Sequence, residues 1–411
     1  MKLLTVDTLD EAREKILSRA KSWTLKTEMI SLEEATGTGA HVLAEDVYAS
    51  SDIPGFRRST VDGYAVVAAD TAGAGEAIPV YLKQAGSVLM GKPAGFSIRS
   101  GECAYVPTGG MLPAGADAVV MEEYCENSGG SIAVYEAAAP GAGMAEAGED
   151  LRKGELFLHR GKVIRPQEAG ALAAAGITRF SVFAPLGLSL ISTGDELVPP
   201  EREPGPGEIR DINTSALTAL AMKRGYRMVS AQVLPDDEAR LETALREAVA
   251  SSDVVIISGG SSQGEKDRTA AVIDRVAKPG VFTHGLSLKP GKPTICGWDE
   301  ESRTIFAGLP GHPVAAMMVF ELLLGWLADK LFDKPSPFPL PARLSCNVPG
   351  SPGRTVCQPV ILRAENAAYI AEPVFGKSGM ITTLTRADGY ILIDMNTEGL
   401  NKGEPVMVHL I

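Results

Sequence analysis

Residues 253–267 constrain the fold of this chain more than any other stretch. They begin as a β-branched apolar run, Val254-Val255-Ile256-Ile257, then break into Ser258-Gly259-Gly260-Ser261-Ser262-Gln263-Gly264, followed by Lys266 and Asp267. A short run of β-branched residues bounded by turn signals reads as a fully buried strand. A glycine-rich turn at the end of such a strand is where an open α/β sheet holds its ligand. Glycines there let backbone N–H groups approach an anion with no Cβ in the way. The spacing is neither GxGxxG nor GxxxxGK[ST], so neither dinucleotide nor P-loop chemistry is indicated. An ordinary βα loop is the bland alternative.

The surrounding text extends this unit into alternating strands and helices. Leu188–Ile191 reads as a strand, 213–224 as a helix stopped at Gly225, and Met228–Leu234 as a strand. A helix follows with Leu241, Ala244, Leu245, Ala248 and Val249 on one face. Beyond the opening turn, Thr269, Val272, Ile273, Val276 and Ala277 mark another helix. A βαβαβα order predicts a mainly parallel, doubly wound sheet covered on both faces. Val314 to Ala328 is apolar, broken by Glu321 and too short to span a bilayer, so it reads as a buried helix.

The flanks read differently. Thr8 with Glu11 and Ser31 with Glu34 are capping boxes opening helices, the second stopping at Gly37. From about 40 to 150, short β-type runs between Gly and Pro predict an all-β region, with 128–148 as a loop or domain margin. Arg165-Pro166-Gln167-Glu168 opens an alanine-rich helix ending at Gly176. The Pro-rich stretch 335–341 reads as a linker to a small all-β domain.

With 411 residues, two to four domains are expected. A formal charge of −12 argues against a nucleic-acid surface and against an anionic membrane. Five cysteines without CxxC or Cys/His spacing read as reduced thiols in a cytoplasmic protein, with no cysteine-type zinc site. Met1 to Asp7 meets an acidic residue before any signal-type apolar region forms.

Several polar clusters gather where the sheet should end. Ser192-Thr193-Gly194-Asp195-Glu196 follows one strand and the glycine turn follows another, so both face one edge. Asp211 sits at a helix start, where a simple cap is an equal reading. Lys289 and Lys292 lie on a Pro-Gly frame, two pre-ordered cations suited to an anion. Gly308-Leu309-Pro310-Gly311-His312-Pro313 opens the last helix with its N–H groups available to an anion. There is no GxSxG, no HExxH and no cysteine nucleophile context. Carboxylates, lysines and glycine turns around one crevice suit a phosphorylated anion with a divalent cation.

Taken in series, these stretches resemble the molybdopterin molybdenumtransferase family of the MoeA type, which includes the E domain of gephyrin. The matching motifs run in order from about residue 10 to 405. They include Ser59-Thr60-Val61-Asp62-Gly63-Tyr64-Ala65, Pro107-Thr108-Gly109, Gly148-Glu149-Asp150, Ser192-Thr193-Gly194-Asp195-Glu196-Leu197, Asp211-Ile212-Asn213, Ser258-Gly259-Gly260, Lys289-Pro290-Gly291-Lys292-Pro293 and Gly308-Leu309-Pro310-Gly311.

The resemblance implies a multidomain α/β plus β fold. It places a central molybdopterin-binding domain at 186–332, a β-rich inserted domain at 51–146 and a β-barrel-like domain at 333–411. Residues 1–50 and 147–185 would form an N-terminal and linker domain. It implies Mg²⁺-assisted insertion of molybdate into adenylylated molybdopterin, releasing AMP, in a homodimer whose active site is shared between subunits. Molybdopterin adenylyltransferase and molybdoenzymes would be further partners.

Matched residue by residue, the family's functional acids fall on Asp62, Asp150, Glu196, Asp211 and Asp267. Metal binding is assigned to Glu196, Asp211 and Asp267. Substrate contacts are assigned to Thr108, Ser258, Gly259, Gly260, Lys289, Lys292, Pro310 and Pro313. Four places depart from the family pattern: Arg57-Arg58, Met144 to Ala147 in place of a basic run, Ser261 with Gln263, and His312 where the family has asparagine. A non-catalytic carrier of molybdopterin or its cofactor, and a molybdopterin adenylyltransferase, stand as alternatives.

Overall fold

The computed structural model describes residues 6–37, 41–259, 263–335, 337–365 and 368–411. Its centre is a six-stranded sheet that forms where the strand–helix alternation predicted it. The strands are β1 (Gly187–Thr193), β2 (Arg227–Leu234), β3 (Val254–Ser258), β4 (Pro279–His284), β5 (Ile295–Asp299) and β6 (Thr304–Leu309), in the order β2-β1-β3-β6-β5-β4. The four strands from β2 to β6 run parallel, while β5 and β4 add an antiparallel edge. Every residue of β1, β3 and β6 is buried, which is why they are near-continuous apolar runs rather than alternating ones.

Helices α1 (Asn213–Lys223), α2 (Glu238–Val249) and α3 (Gln263–Val276) follow β1, β2 and β3, and α4 (Pro313–Phe320) follows β6. Asp237 caps α2 by accepting from Arg240 N at 2.8 Å. Leu241, Leu245, Val272 and Ile273 close one face of the sheet over Ile257 and Phe306. The other face is closed by Leu217, Phe320, Leu323 and Leu327. The apolar stretch expected as one buried helix is α4, then a π-helical turn at Glu321–Gly325, then a further helix Trp326–Leu331. Glu321 is buried in that turn and accepts from Arg224 Nε at 2.8 Å, so its charge is paired.

The N-terminal helix Leu9–Ala20, with the expected Thr8–Glu11 capping box, lays Leu9, Ala12 and Ile16 into the α/β core. Asp7 ties it down, accepting from Lys15 Nζ at 2.7 Å and from Thr283 Oγ1 at 2.6 Å. The Ser31–Glu34 box also forms. A strand at Thr27–Ser31 was not expected. It pairs with Arg179–Phe183, some 150 residues along the chain, over Ile30, Leu43, Leu172 and Phe180.

The 51–146 region holds a six-stranded sheet in the order Ala118–Met121, Gly63–Val66, Glu102–Val106, Val80–Ser87, Ser131–Val134, Cys125–Ser128. Residues 128–148 were expected to be loop, and the structure corrects this. Ser131–Val134 is a strand because Ile132 and Val134 fill the core beside Leu82.

In the C-terminal region, strands Leu340–Leu344, Thr355–Glu365, Ala368–Pro373, Gly389–Ile393 and Pro405–Leu410 close into a five-stranded barrel. Closure removes the sheet edges and buries Val360, Ile391 and Val408 inside. Leu288–Lys289 pairs in parallel with Thr355-Val356 and so fixes the barrel against the α/β unit. Among the described residues no helix is long and apolar enough to cross a membrane.

Candidate functional site: two cavities sharing a wall

Strands β1 and β3 carry their chains to helices on opposite sides, so a crevice opens beyond their carboxyl ends. A cavity of about 260 Å³ fills it. Ser192 and Thr193 come from the end of β1, Ser258 and Gly259 from the end of β3, and Asn213 from the first turn of α1. Glu196 and Asp211 bring carboxylates from the excursion between β1 and α1, and Gly311-His312-Pro313 closes the far side.

The polar floor is cross-linked. Asn213 Nδ2 donates to Ser258 Oγ and to the Gly311 carbonyl, both at 2.8 Å. Ser192 Oγ and Thr214 Oγ1 are 2.8 Å apart. Buried Asp211 accepts from Thr214 N at 3.2 Å, so it does cap α1 while also lining the cavity. Asn213 Oδ1 is buried without a hydrogen-bond partner among the described residues.

Gly259 is required at its position. Its φ is +150°, and an added Cβ would stand 2.3 Å from the Thr193 carbonyl oxygen. The two strand ends therefore meet backbone to backbone, as the glycine turn implied.

A second cavity, of about 580 Å³, lies between the α/β unit and the barrel. Lys289, Lys292 and Pro310 line it from the α/β side. Arg354, Gln358, Lys377 and Ser378 line it from the barrel side. The cavity thus collects four cations from chain segments up to 88 residues apart, Lys289 and Lys377 being the extremes. Cys357 also lines it. Burial pushes that thiol far above its ordinary range, so it stays protonated and uncharged. His312 lines both cavities.

The sequence-derived residues divide into groups. Ser258, Gly259, Glu196, Asp211 and Pro313 meet in the first cavity, and Lys289, Lys292 and Pro310 in the second. Asp62 and Thr108 meet each other, Thr108 N donating to Asp62 Oδ1 at 2.7 Å. Both are exposed at the end of the inserted sheet and line neither cavity; Asp150, outside that sheet and also exposed, lines neither cavity either. Gly260 and the side chain of Asp267 lie outside the described residues.

Sequence reasoning missed Arg354, Lys377 and Ser378. The available signals were two basic turns beside glycines, Gly353-Arg354 and Gly376-Lys377-Ser378-Gly379. It also missed the Asp236-Asp237 turn after β2. There Asp236 N donates to Asp195 Oδ1 at 3.1 Å, joining two strand ends on the ligand-facing edge.

A mainly parallel sheet with a polar crevice at its switch point is docked to a barrel across a basic cavity, an arrangement in keeping with the resemblance that the motifs carry. Three family models match the chain in succession. The MoeA N-terminal region (domains I and II) matches residues 7–176, the probable molybdopterin binding domain residues 189–329, and the MoeA C-terminal region (domain IV) residues 341–411. The chain is 31% identical to the molybdopterin molybdenumtransferase of Haemophilus influenzae, over 98% of each chain. Two crystal structures of MoeA molybdopterin biosynthesis protein, from Pyrococcus horikosii and Pyrococcus horikoshii OT3, superpose with TM-scores of 0.80 and 0.84. They are 37% and 30% identical to this chain and cover 99% of it and 99% or more of their own lengths. The chain belongs to the MoeA family.

Proposed function

We infer that this protein is a molybdopterin molybdenumtransferase that inserts molybdate into adenylylated molybdopterin and releases AMP. One observation carries the reading: a carboxylate-lined cavity at the sheet's switch point shares a wall with a cation-lined cavity. The first suits a pterin phosphate, received by backbone N–H groups at the Ser258-Gly259 turn. The second suits a small dianion, whose charge Lys289, Lys292, Arg354 and Lys377 neutralise. Holding both across one wall brings the reactants together before any bond changes.

The donor chemistry also fits Mg²⁺, which prefers carboxylate oxygens and retained water. Glu196 and Asp211 are the described residues that would hold it, with Asp267 as the third candidate. When bound, the ion supplies charge neutralisation at the phosphate oxygens. An oxygen nucleophile, water or a molybdate oxygen, bonds to the pterin-side phosphorus as the P–O–P link to the adenylate breaks, and AMP leaves with the bridging oxygen.

Asp62, Thr108 and Asp150 line neither cavity of their own chain, which supports a homodimer in which they face the partner's crevice. Five free cysteines support a reducing cytoplasmic setting. Molybdopterin adenylyltransferase upstream and molybdoenzymes downstream remain the expected partners.

The test mixes purified protein with adenylylated molybdopterin, Mg²⁺ and molybdate, and measures AMP and active cofactor. AMP release no greater than that of the Asp62→Asn plus Asp267→Asn double variant refutes catalysis. Tight molybdopterin binding without turnover would instead identify a carrier.

A further inference from the structure

Among the described residues that line the two cavities, His312 is common to both, and it stands at a position where the sequence departs from its family. Its ring reaches both ways. Nδ1 lies 2.9 Å from Ser378 Oγ, and Ser378 lines the basic cavity. On its other edge, Cδ2 and Nε2 stand 3.6 and 3.9 Å from where a Cβ on Gly379 would be, and Gly379 lines the carboxylate cavity. The backbone beneath the ring is fixed from both units. Asn213 Nδ2 holds the Gly311 carbonyl at 2.8 Å, and Val314 N donates to the Ser378 carbonyl at 3.1 Å. His312 makes no capping hydrogen bond to its own helix, so its hydrogen-bonding capacity is directed at Ser378.

We propose that His312 is a positioning residue whose Nδ1–H aims the Ser378 hydroxyl at an oxyanion in the basic cavity. The inference rests on the functional reading above. The logic is one of donors and acceptors. When Nδ1 carries no proton it accepts the Ser378 hydroxyl, which then has no hydrogen for an anion. When Nδ1–H donates, Ser378 Oγ is the acceptor and its hydrogen is released toward the cavity.

The experiment is calorimetric titration of the full chain with sodium molybdate alone. His312→Ala is expected to weaken binding about fivefold or more. His312→Asn retains an N–H at the Nδ1 position, so it keeps affinity within about twofold of wild type. Ser378→Ala and the Ser378→Ala, His312→Ala double variant should bind alike, because the imidazole acts through the hydroxyl. Losses that add, or a His312→Ala variant with wild-type affinity, overturn the proposal alone. Wild type that binds no molybdate overturns the assignment of the basic cavity, and this proposal with it.

Discussion

Replacing Gly259 with alanine tests the close approach on which the carboxylate-lined cavity is built. The added Cβ would sit 2.3 Å from the Thr193 carbonyl oxygen and 2.3 Å from Thr193 Oγ1. That is about 1 Å inside ordinary contact. The hydroxyl can rotate away, but the carbonyl belongs to β1, whose Ser192 is held in parallel register with Ser258 of β3. Both strands are buried along their whole length, so neither end shifts freely. Overpacking and a non-glycine residue at φ +150° together cost about 2–5 kcal/mol. For a unit the size of this α/β domain, that lowers Tm by about 4–15 °C. Trp23, Trp298 and Trp326 all pack in or against the α/β core, so tryptophan fluorescence during thermal melting reports this unit. Gly170→Ala is the comparator. It lies mid-helix, exposed, with nothing within 4 Å of the added Cβ, in a unit whose core holds no tryptophan, so it should leave the tryptophan-reported melt unchanged while stabilising its own helix by about 0.5–1 kcal/mol. A Gly259→Ala protein that melts within about 1 °C of wild type refutes the close approach.

Three further outcomes are expected. Lys289→Ala should weaken molybdate binding about tenfold or more and make the remainder less salt-sensitive, with an unchanged Tm because Lys289 is exposed; a large drop in Tm would make the lysine structural. Mixing inactive Asp62→Asn with inactive Lys289→Ala chains should restore about a quarter of wild-type activity through heterodimers carrying one intact shared site, and no recovery refutes sharing. Hydrogen bonding from Arg165 holds the Glu168 carboxyl down at about 2, against an ordinary value of 4.5. Its stabilisation is therefore complete above pH 4.5 and is lost as pH falls through about 2. Glu168→Gln should cost about 1–2 kcal/mol at pH 7, allowing for the half-exposed Arg165, and should flatten the acid limb of stability against pH in denaturant titrations.

The parts of the fold that were legible share a physical cause. Capping boxes at Thr8 and Ser31 are satisfied within three residues, and the buried run Val254–Ile257 is recognisable by its own composition. The strand Thr27–Ser31 was not legible, because its ladder partner Arg179–Phe183 lies some 150 residues away. Four of its five residues are exposed or only half-buried, so no apolar alternation marks it. Ser131–Val134 sat inside Gly- and Ala-rich text, and only packing against Leu82 reveals its buried face. The antiparallel β5–β4 edge likewise follows from pairing rather than from any local pattern.

The candidate site divides along the same line. The glycine turn, the carboxylates and Lys289 with Lys292 were legible because each lies on one short segment whose chemistry is local. By itself the sequence determined the strand–turn–helix frame, the family, and which acids and lysines are available. The tertiary structure alone decided which of them meet. Arg354 and Lys377 join the lysines only because Leu288–Lys289 pairs with Thr355-Val356 and docks the barrel there. His312 becomes a shared wall only because a barrel loop presents Ser378 to it. Asp62 and Thr108 are carried away from both cavities of their own chain. Short-range hydrogen bonding and apolar runs are written in neighbouring residues, whereas which segments dock is set by the burial and pairing of surfaces far apart in the chain.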